Sequence, residues 1–162
     1  MTYPKDGLYY LQNSSKPDCY ATIRSGEDVL RGDTINGPPI EKSRKWRLTE
    51  VNQSDASGLS QFYCTLTQEK DNDTLGVKAI KDFQPIYSID GSQSWFLDQA
   101  SEGYTIGVTG HDGRYTWHLR DTGEPVCAPL LFRKVFLLNL AQIVISIQGI
   151  MPSQSWKFLP AE

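Results

Sequence analysis

Ser92-Gln93-Ser94-Trp95-Phe96-Leu97 and Ser153-Gln154-Ser155-Trp156-Lys157-Phe158-Leu159 share four identical residues ending in tryptophan, and each runs on into a short apolar segment. A third tryptophan of the same kind stands in Arg44-Lys45-Trp46-Arg47-Leu48, with Arg44 where the other two have glutamine. The separations are 49 and 61 residues. Working back from each tryptophan finds an aromatic-led opening segment: Asp6-Gly7-Leu8-Tyr9-Tyr10-Leu11, Gln61-Phe62-Tyr63-Cys64-Thr65-Leu66 and Glu102-Gly103-Tyr104-Thr105-Ile106. The chain of 162 residues thus divides into three units, about 6–51, 60–100 and 102–160. A unit of this size cannot bury its own apolar face, so the three are expected to share one core as a single domain. Trp46, Trp95 and Trp156 belong in that core, whereas Trp117 falls outside the repeat and reads either as packing or as a surface aromatic.

Between these landmarks the chain reads as all-β. Short runs rich in Tyr, Val, Ile, Thr and Phe alternate with turn clusters, and no helical period is sustained before about residue 130. Expected strands are 8–12, 20–23, 45–51, 61–67, 75–79, 86–89, 95–97, 104–108, 115–119, 126–131 and 156–159. The clearest hairpin joins Tyr104–Val108 to Tyr115–Leu119 across Gly110-His111-Asp112-Gly113.

This arrangement resembles a β-trefoil: three pseudo-repeats of four strands around a capped barrel. The resemblance covers essentially the whole chain. The longer second separation places an apolar insertion at about 132–150, just before the closing strand of the third unit. That insertion reads as a helix with an apolar surface nearly all round, as a hairpin of 135–138 with 143–147, or as a retained intron.

Composition removes several functions. With 16 Lys+Arg against 19 Asp+Glu and a net charge of -3, there is no basic field to attract a phosphate backbone, so nucleic acid is not an expected partner. The most apolar run, 135–147, is broken by Asn139 and Gln142 and falls well short of the ~20 residues that span a bilayer, so no membrane is expected. Met1–Gly7 carries no apolar segment of the signal-peptide type, and a cytoplasmic location is the expectation. Three cysteines, Cys19, Cys64 and Cys127, match no metal or disulfide spacing and are expected to be reduced.

Catalysis is not expected either. His111 and His118 lie across a hairpin with no cysteine beside them, and there is no nucleophile elbow and no phosphate-binding glycine loop. Asp71-Asn72-Asp73 has Leu75 where a calcium loop needs oxygen, and reads as an acidic turn. No metal or cofactor is expected. Binding through loops on a rigid scaffold remains.

Two families of this fold resemble the chain. Ricin-type lectins end their repeats in Gln-x-Trp, which Gln93-Ser94-Trp95 and Gln154-Ser155-Trp156 match and Arg44-Lys45-Trp46 does not. That resemblance implies glycan binding, but an Asp and an aromatic at equivalent positions in two units are not found. The fungal, mushroom-type β-trefoil serine protease inhibitors, the cospin-like group, resemble the chain in Asp6–Leu11, Ser94–Leu97, Gly103–Ile106, Asp121-Thr122-Gly123-Glu124-Pro125-Val126, Ala128-Pro129-Leu130 and Trp156-Lys157-Phe158-Leu159-Pro160. This second resemblance implies inhibition of a trypsin-like serine protease by a monomeric chain, through a surface loop that enters the cleft like a substrate. The basic side chain it requires is expected from the long loop 24–39, as Arg31 or Arg24, or late in the third unit as Arg133 or Lys134. Asn36 is a further candidate if the target cleaves after asparagine, and a cysteine protease target and a lectin are the alternatives. Arg31-Gly32-Asp33 also spells an integrin-binding tripeptide, a length at which chance matches are frequent.

Overall fold

The computed structural model describes residues 2–35, 42–51, 61–80, 84–111, 113–119, 126–128 and 154–161. In the first unit these form strands β1 (Gly7–Asn13), β2 (Cys19–Ile23), β3 (Leu30–Thr34) and β4 (Lys45–Val51), with a 3-10 turn at Lys42–Arg44. The second unit contributes β5 (Phe62–Gln68), β6 (Thr74–Gly76), β7 (Gln84–Pro85), β8 (Tyr87–Ile89) and β9 (Trp95–Gln99). The third holds β10 (Tyr104–Thr109), β11 (Arg114–Thr116), β12 (Cys127–Ala128) and β13 (Ser155–Pro160).

Six strands close on themselves. β1 pairs with β13, β13 with β10, β10 with β9, β9 with β5, β5 with β4, and β4 returns to β1, all antiparallel. Each unit supplies its first and last strand to this barrel, and closure leaves those strands no open edge. The repeat is visible in the register: Tyr9 lies opposite Trp46, Cys64 opposite Trp95 and Tyr104 opposite Trp156.

The remaining strands form the cap, and a ring of main-chain hydrogen bonds closes it. Leu30 N donates to Ile86 O at 2.8 Å, Ile86 N to Val126 O at 3.1 Å and Val126 N to Leu30 O at 2.9 Å. One residue from each unit thus satisfies the next unit's backbone about a pseudo-threefold axis, and all three side chains are buried. Barrel, cap and axis together make the fold a β-trefoil.

All four tryptophans are fully buried. Trp46 Nε1 donates to Ala21 O and Trp95 Nε1 to Leu75 O, each at 3.0 Å, so each ties a barrel strand to the cap strand of its own unit. Trp117 is explained by the same correspondence. Tyr20, Thr74 and Thr116 lie opposite Gln12, Thr67 and Gly107, which puts Ala21, Leu75 and Trp117 next along at equivalent places. Trp117 is therefore packing, set edge-on to Trp95 and to Trp156 with centroids 5.2 and 6.0 Å away.

The expected strands are present with shifted ends, residues 129–131 of the strand expected at 126–131 lying outside the described residues, and β10 pairs with β11 as anticipated. Two strands had no counterpart in the expectation. β7 is two residues long and ends on Pro85, and β3 carries Arg-Gly-Asp, which reads as turn chemistry. The insertion at 132–150 lies outside the described residues.

Cys19 and Cys64 are both buried thiols. Burial, with the charge of Asp6 adding to it, pushes the Cys64 thiol up to about 12. At pH 8 this thiol is protonated as well as inaccessible. Alkylation by iodoacetamide at pH 8 followed by peptide mapping is expected to leave Cys19 and Cys64 unlabelled until denaturant is added; labelling of either in the native chain would contradict its placement.

Candidate functional site

Within the stretch 24–39, expected as one long loop, Leu30–Thr34 is a hairpin arm, and 36–39 lie outside the described residues. β3 pairs with β2 over five residues, from Cys19 opposite Thr34 to Ile23 opposite Leu30. The reason is period two: Leu30 and Gly32 turn inward, Arg31 and Asp33 outward. Gly32 packs tightly inside, since a Cβ there would stand 2.6 Å from Leu119 Cδ2 and 2.9 Å from Cys19 Sγ and those side chains would have to shift to admit it. The Arg-Gly-Asp tripeptide is thus one side of a ladder with its glycine in the core, not a projecting loop.

Arg31, opposite Thr22, sends its Nε to Glu27 Oε2 at 2.6 Å and so fastens the hairpin tip rather than extending from it. Arg24, at the end of β2, makes a two-pronged bond with Asp33 across the hairpin: Nε to Oδ2 at 2.9 Å and Nη2 to Oδ1 at 2.7 Å. Its guanidinium is held above its ordinary value, first by that hydrogen bond and then by the Asp33 charge. Asn36, Arg133 and Lys134 lie outside the described residues.

The structure brings Arg24 and Asp33 onto one wall of an open cleft of about 580 Å³. Ser43 and Arg44 approach from the 3-10 turn, and Asp73 and Ser88 from the second unit. Ser88 Oγ donates to Asp73 Oδ2 at 2.7 Å, and Gln68 Nε2 donates to Ser43 O at 3.1 Å. Asp73 is presented by a tight turn in which Gln68 N donates to Asp73 O at 2.8 Å and Asn72 takes a left-handed φ of 58°. No Phe, Tyr or Trp is among the described residues that line the cleft.

Such a wall is suited to polyhydroxyl ligands. A carboxylate engaged with guanidinium keeps lone pairs for further donors, while the guanidinium keeps N–H groups for acceptors. No His or Cys is among the described residues that line it. Among the described residues no group of three His, Cys, Asp or Glu is placed to hold a metal ion, and no helix is long and apolar enough to cross a membrane.

Most of these residues escaped the sequence reading. Only Arg24 was a candidate, for another role, while Asp33 was seen only inside the Arg-Gly-Asp tripeptide. One signal was present: Arg44 replaces the glutamine that precedes the other two repeat tryptophans, at Gln93 and Gln154. Gln154 is buried and donates to Thr116 Oγ1 at 3.2 Å, whereas Arg44 lines the cleft.

No protein-family model and no curated protein sequence matches the chain. Solved structures do. The agglutinin of Rhizoctonia solani superposes with a TM-score of 0.68 at 19% identity, covering 99% of both chains. The ricin B-like lectin of Macrolepiota procera, solved with lactose, gives 0.67 at 12% identity over 99% of this chain and 100% of its own. A designed threefold-symmetric protein, ThreeFoil, gives 0.64 at 15% identity over 96% and 100%. At these identities the likeness is one of fold, and it is that of the whole trefoil.

Proposed function

We propose that the chain is a carbohydrate-binding β-trefoil and that the cleft beside the β2–β3 hairpin receives the sugar. The observation that carries this is the Arg24–Asp33 pair, which offers donors and acceptors in one plane to vicinal hydroxyls. Asp33 is largely shielded, with a side chain 12% exposed, so its bonds to a ligand form in a partly dehydrated setting where they are stronger than in water. The agglutinin and lectin neighbours are in keeping with a sugar ligand. Inhibition of a trypsin-like protease, the other function implied by resemblance, has less behind it: Arg31 is committed to Glu27 and Arg24 to Asp33.

A glycan array probed with the labelled chain, beside a trypsin assay, tests the choice. Glycan binding with unchanged trypsin activity is expected. Asp33→Ala is expected to raise Kd for the best glycan by roughly tenfold to a hundredfold, the worth of a charged hydrogen bond. An empty array together with trypsin inhibition that is lost in Arg133→Ala or Lys134→Ala would replace this reading by the inhibitor.

A further inference from the structure

The cleft belongs to two units rather than one. Its first half, Thr22, Arg24, Asp33 and Ser43, comes from unit one, and its second, Asp73 and Ser88, from unit two. The halves are locked across the boundary by main-chain bonds: Ser88 N donates to Asp28 O at 2.7 Å, Glu69 N to Lys45 O at 3.0 Å and Leu30 N to Ile86 O at 2.8 Å. Such a site is preformed, and a ligand that engages both halves loses little to reordering the protein.

Size and charge then describe the ligand. Clefts of ~300–1,000 Å³ take ligands of drug size, and about 580 Å³ suits a di- or trisaccharide better than one hexose. The carboxylates on this surface already have partners. Asp33 meets Arg24, Glu27 meets Arg31, Asp28 meets Lys78 at 3.4 Å, Asp71 meets Lys70 at 3.8 Å, and Asp73 accepts the Ser88 hydroxyl. An anionic ligand would face these five carboxylates against Arg24, Arg44 and Lys70 in the lining, and a cationic one would compete with the basic partners, while a neutral one adds hydrogen bonds to those already made. With no Phe, Tyr or Trp among the described residues that line the cleft, affinity depends on the number of hydroxyls engaged, and so on ligand length.

We infer that this is a composite site spanning two pseudo-repeats, which binds a neutral oligosaccharide along the Arg24–Asp33 and Asp73–Ser88 halves together. The inference rests on the carbohydrate-binding reading above. Titration calorimetry with two neutral series, galactose, lactose and lacto-N-neotetraose, and glucose, cellobiose and cellotriose, tests it, with sialyllactose as the charged counterpart of lactose. Within the series that binds, affinity is expected to rise about tenfold or more from the monosaccharide to the longest member. Asp73→Asn is expected to abolish most of the gain with length, and a circular dichroism spectrum and urea midpoint close to those of the parent chain report that the variant is folded. Ser88→Ala is expected to do the same in milder degree. Equal affinity for short and long members, an unchanged gain in both variants, or tighter binding of sialyllactose than lactose would overturn the composite neutral site and leave sugar binding standing. Failure of every probe, together with an empty glycan array, would remove both.

Discussion

Trp117→Ala is expected to lower the unfolding free energy by about 3–5 kcal/mol, the range for emptying a buried aromatic site. Trp117 is fully buried and stands edge-on to both Trp95 and Trp156, so its removal also disrupts two aromatic pairs. The cavity would lie where the cap meets the barrel, among strands whose hydrogen bonds run around a closed ring, and such a ring cannot collapse locally to fill it. A domain of this size has only ~5–15 kcal/mol in total, so the variant is expected to lose a large part of its margin. Trp117→Leu, which copies the residue at the equivalent place in unit two, is expected to cost clearly less. Urea unfolding followed by circular dichroism measures both. A loss below about 1 kcal/mol for the alanine variant would mean that Trp117 is not a core residue.

How far the fold was legible follows from the same residues. Tryptophans that recur before short apolar strands mark three units because each must fill the same place in one core, and a core position leaves a mark on sequence at every recurrence. Trp117 was harder to place, since its equivalents are Ala21 and Leu75 and the correspondence exists only in the cross-strand register. β3 was missed for a related reason. Only Leu30 and Thr34 in it look like strand residues; Gly32 is inward against Leu119 and Cys19, which a Cβ would have to displace, and the Leu119 part of that constraint comes from far along the chain.

The candidate site was still less legible, because its positions face outward and nothing obliges them to repeat. Where unit one has Arg31 and Asp33 along β3, unit two has Tyr87 and Ile89 along β8. Arg24 and Asp33 are nine residues apart and meet only because β2 and β3 pair, while Asp73 and Ser88 arrive from another unit. A basic residue in a presumed loop therefore suggested a protruding side chain. In the structure the same two arginines are tied to carboxylates within the hairpin, Arg24 to Asp33 and Arg31 to Glu27, rather than extending from it.

Gly103→Ala is the second change expected to be severe, and Gly26→Ala is its control. Gly103 has a φ of +76° and Gly26 one of +81°, so both are in the left-handed region, where a side chain costs roughly 1–2 kcal/mol. They differ in surroundings. A Cβ at Gly26 meets nothing within 4 Å, whereas at Gly103 it would be driven into the Trp156 carbonyl, 2.8 Å from its carbon, and would press on Lys157 N at 3.2 Å. These are backbone atoms of β13, so no rotamer change relieves the contact. The displaced segment includes the Tyr104–Trp156 pairing that joins β10 to β13 and fixes a core tryptophan, as well as the Ala100 N to Gly103 O bond of 3.0 Å that closes the β9–β10 turn. Overpacking of this kind adds about 1–3 kcal/mol to the conformational cost. Gly103→Ala is thus expected to lose about 2–5 kcal/mol and Gly26→Ala about 1–2 kcal/mol, the excess being the steric part alone. Equal losses in urea unfolding would show that β13 does not press on the β9–β10 turn and that the barrel seam at Trp156 is looser than its register implies.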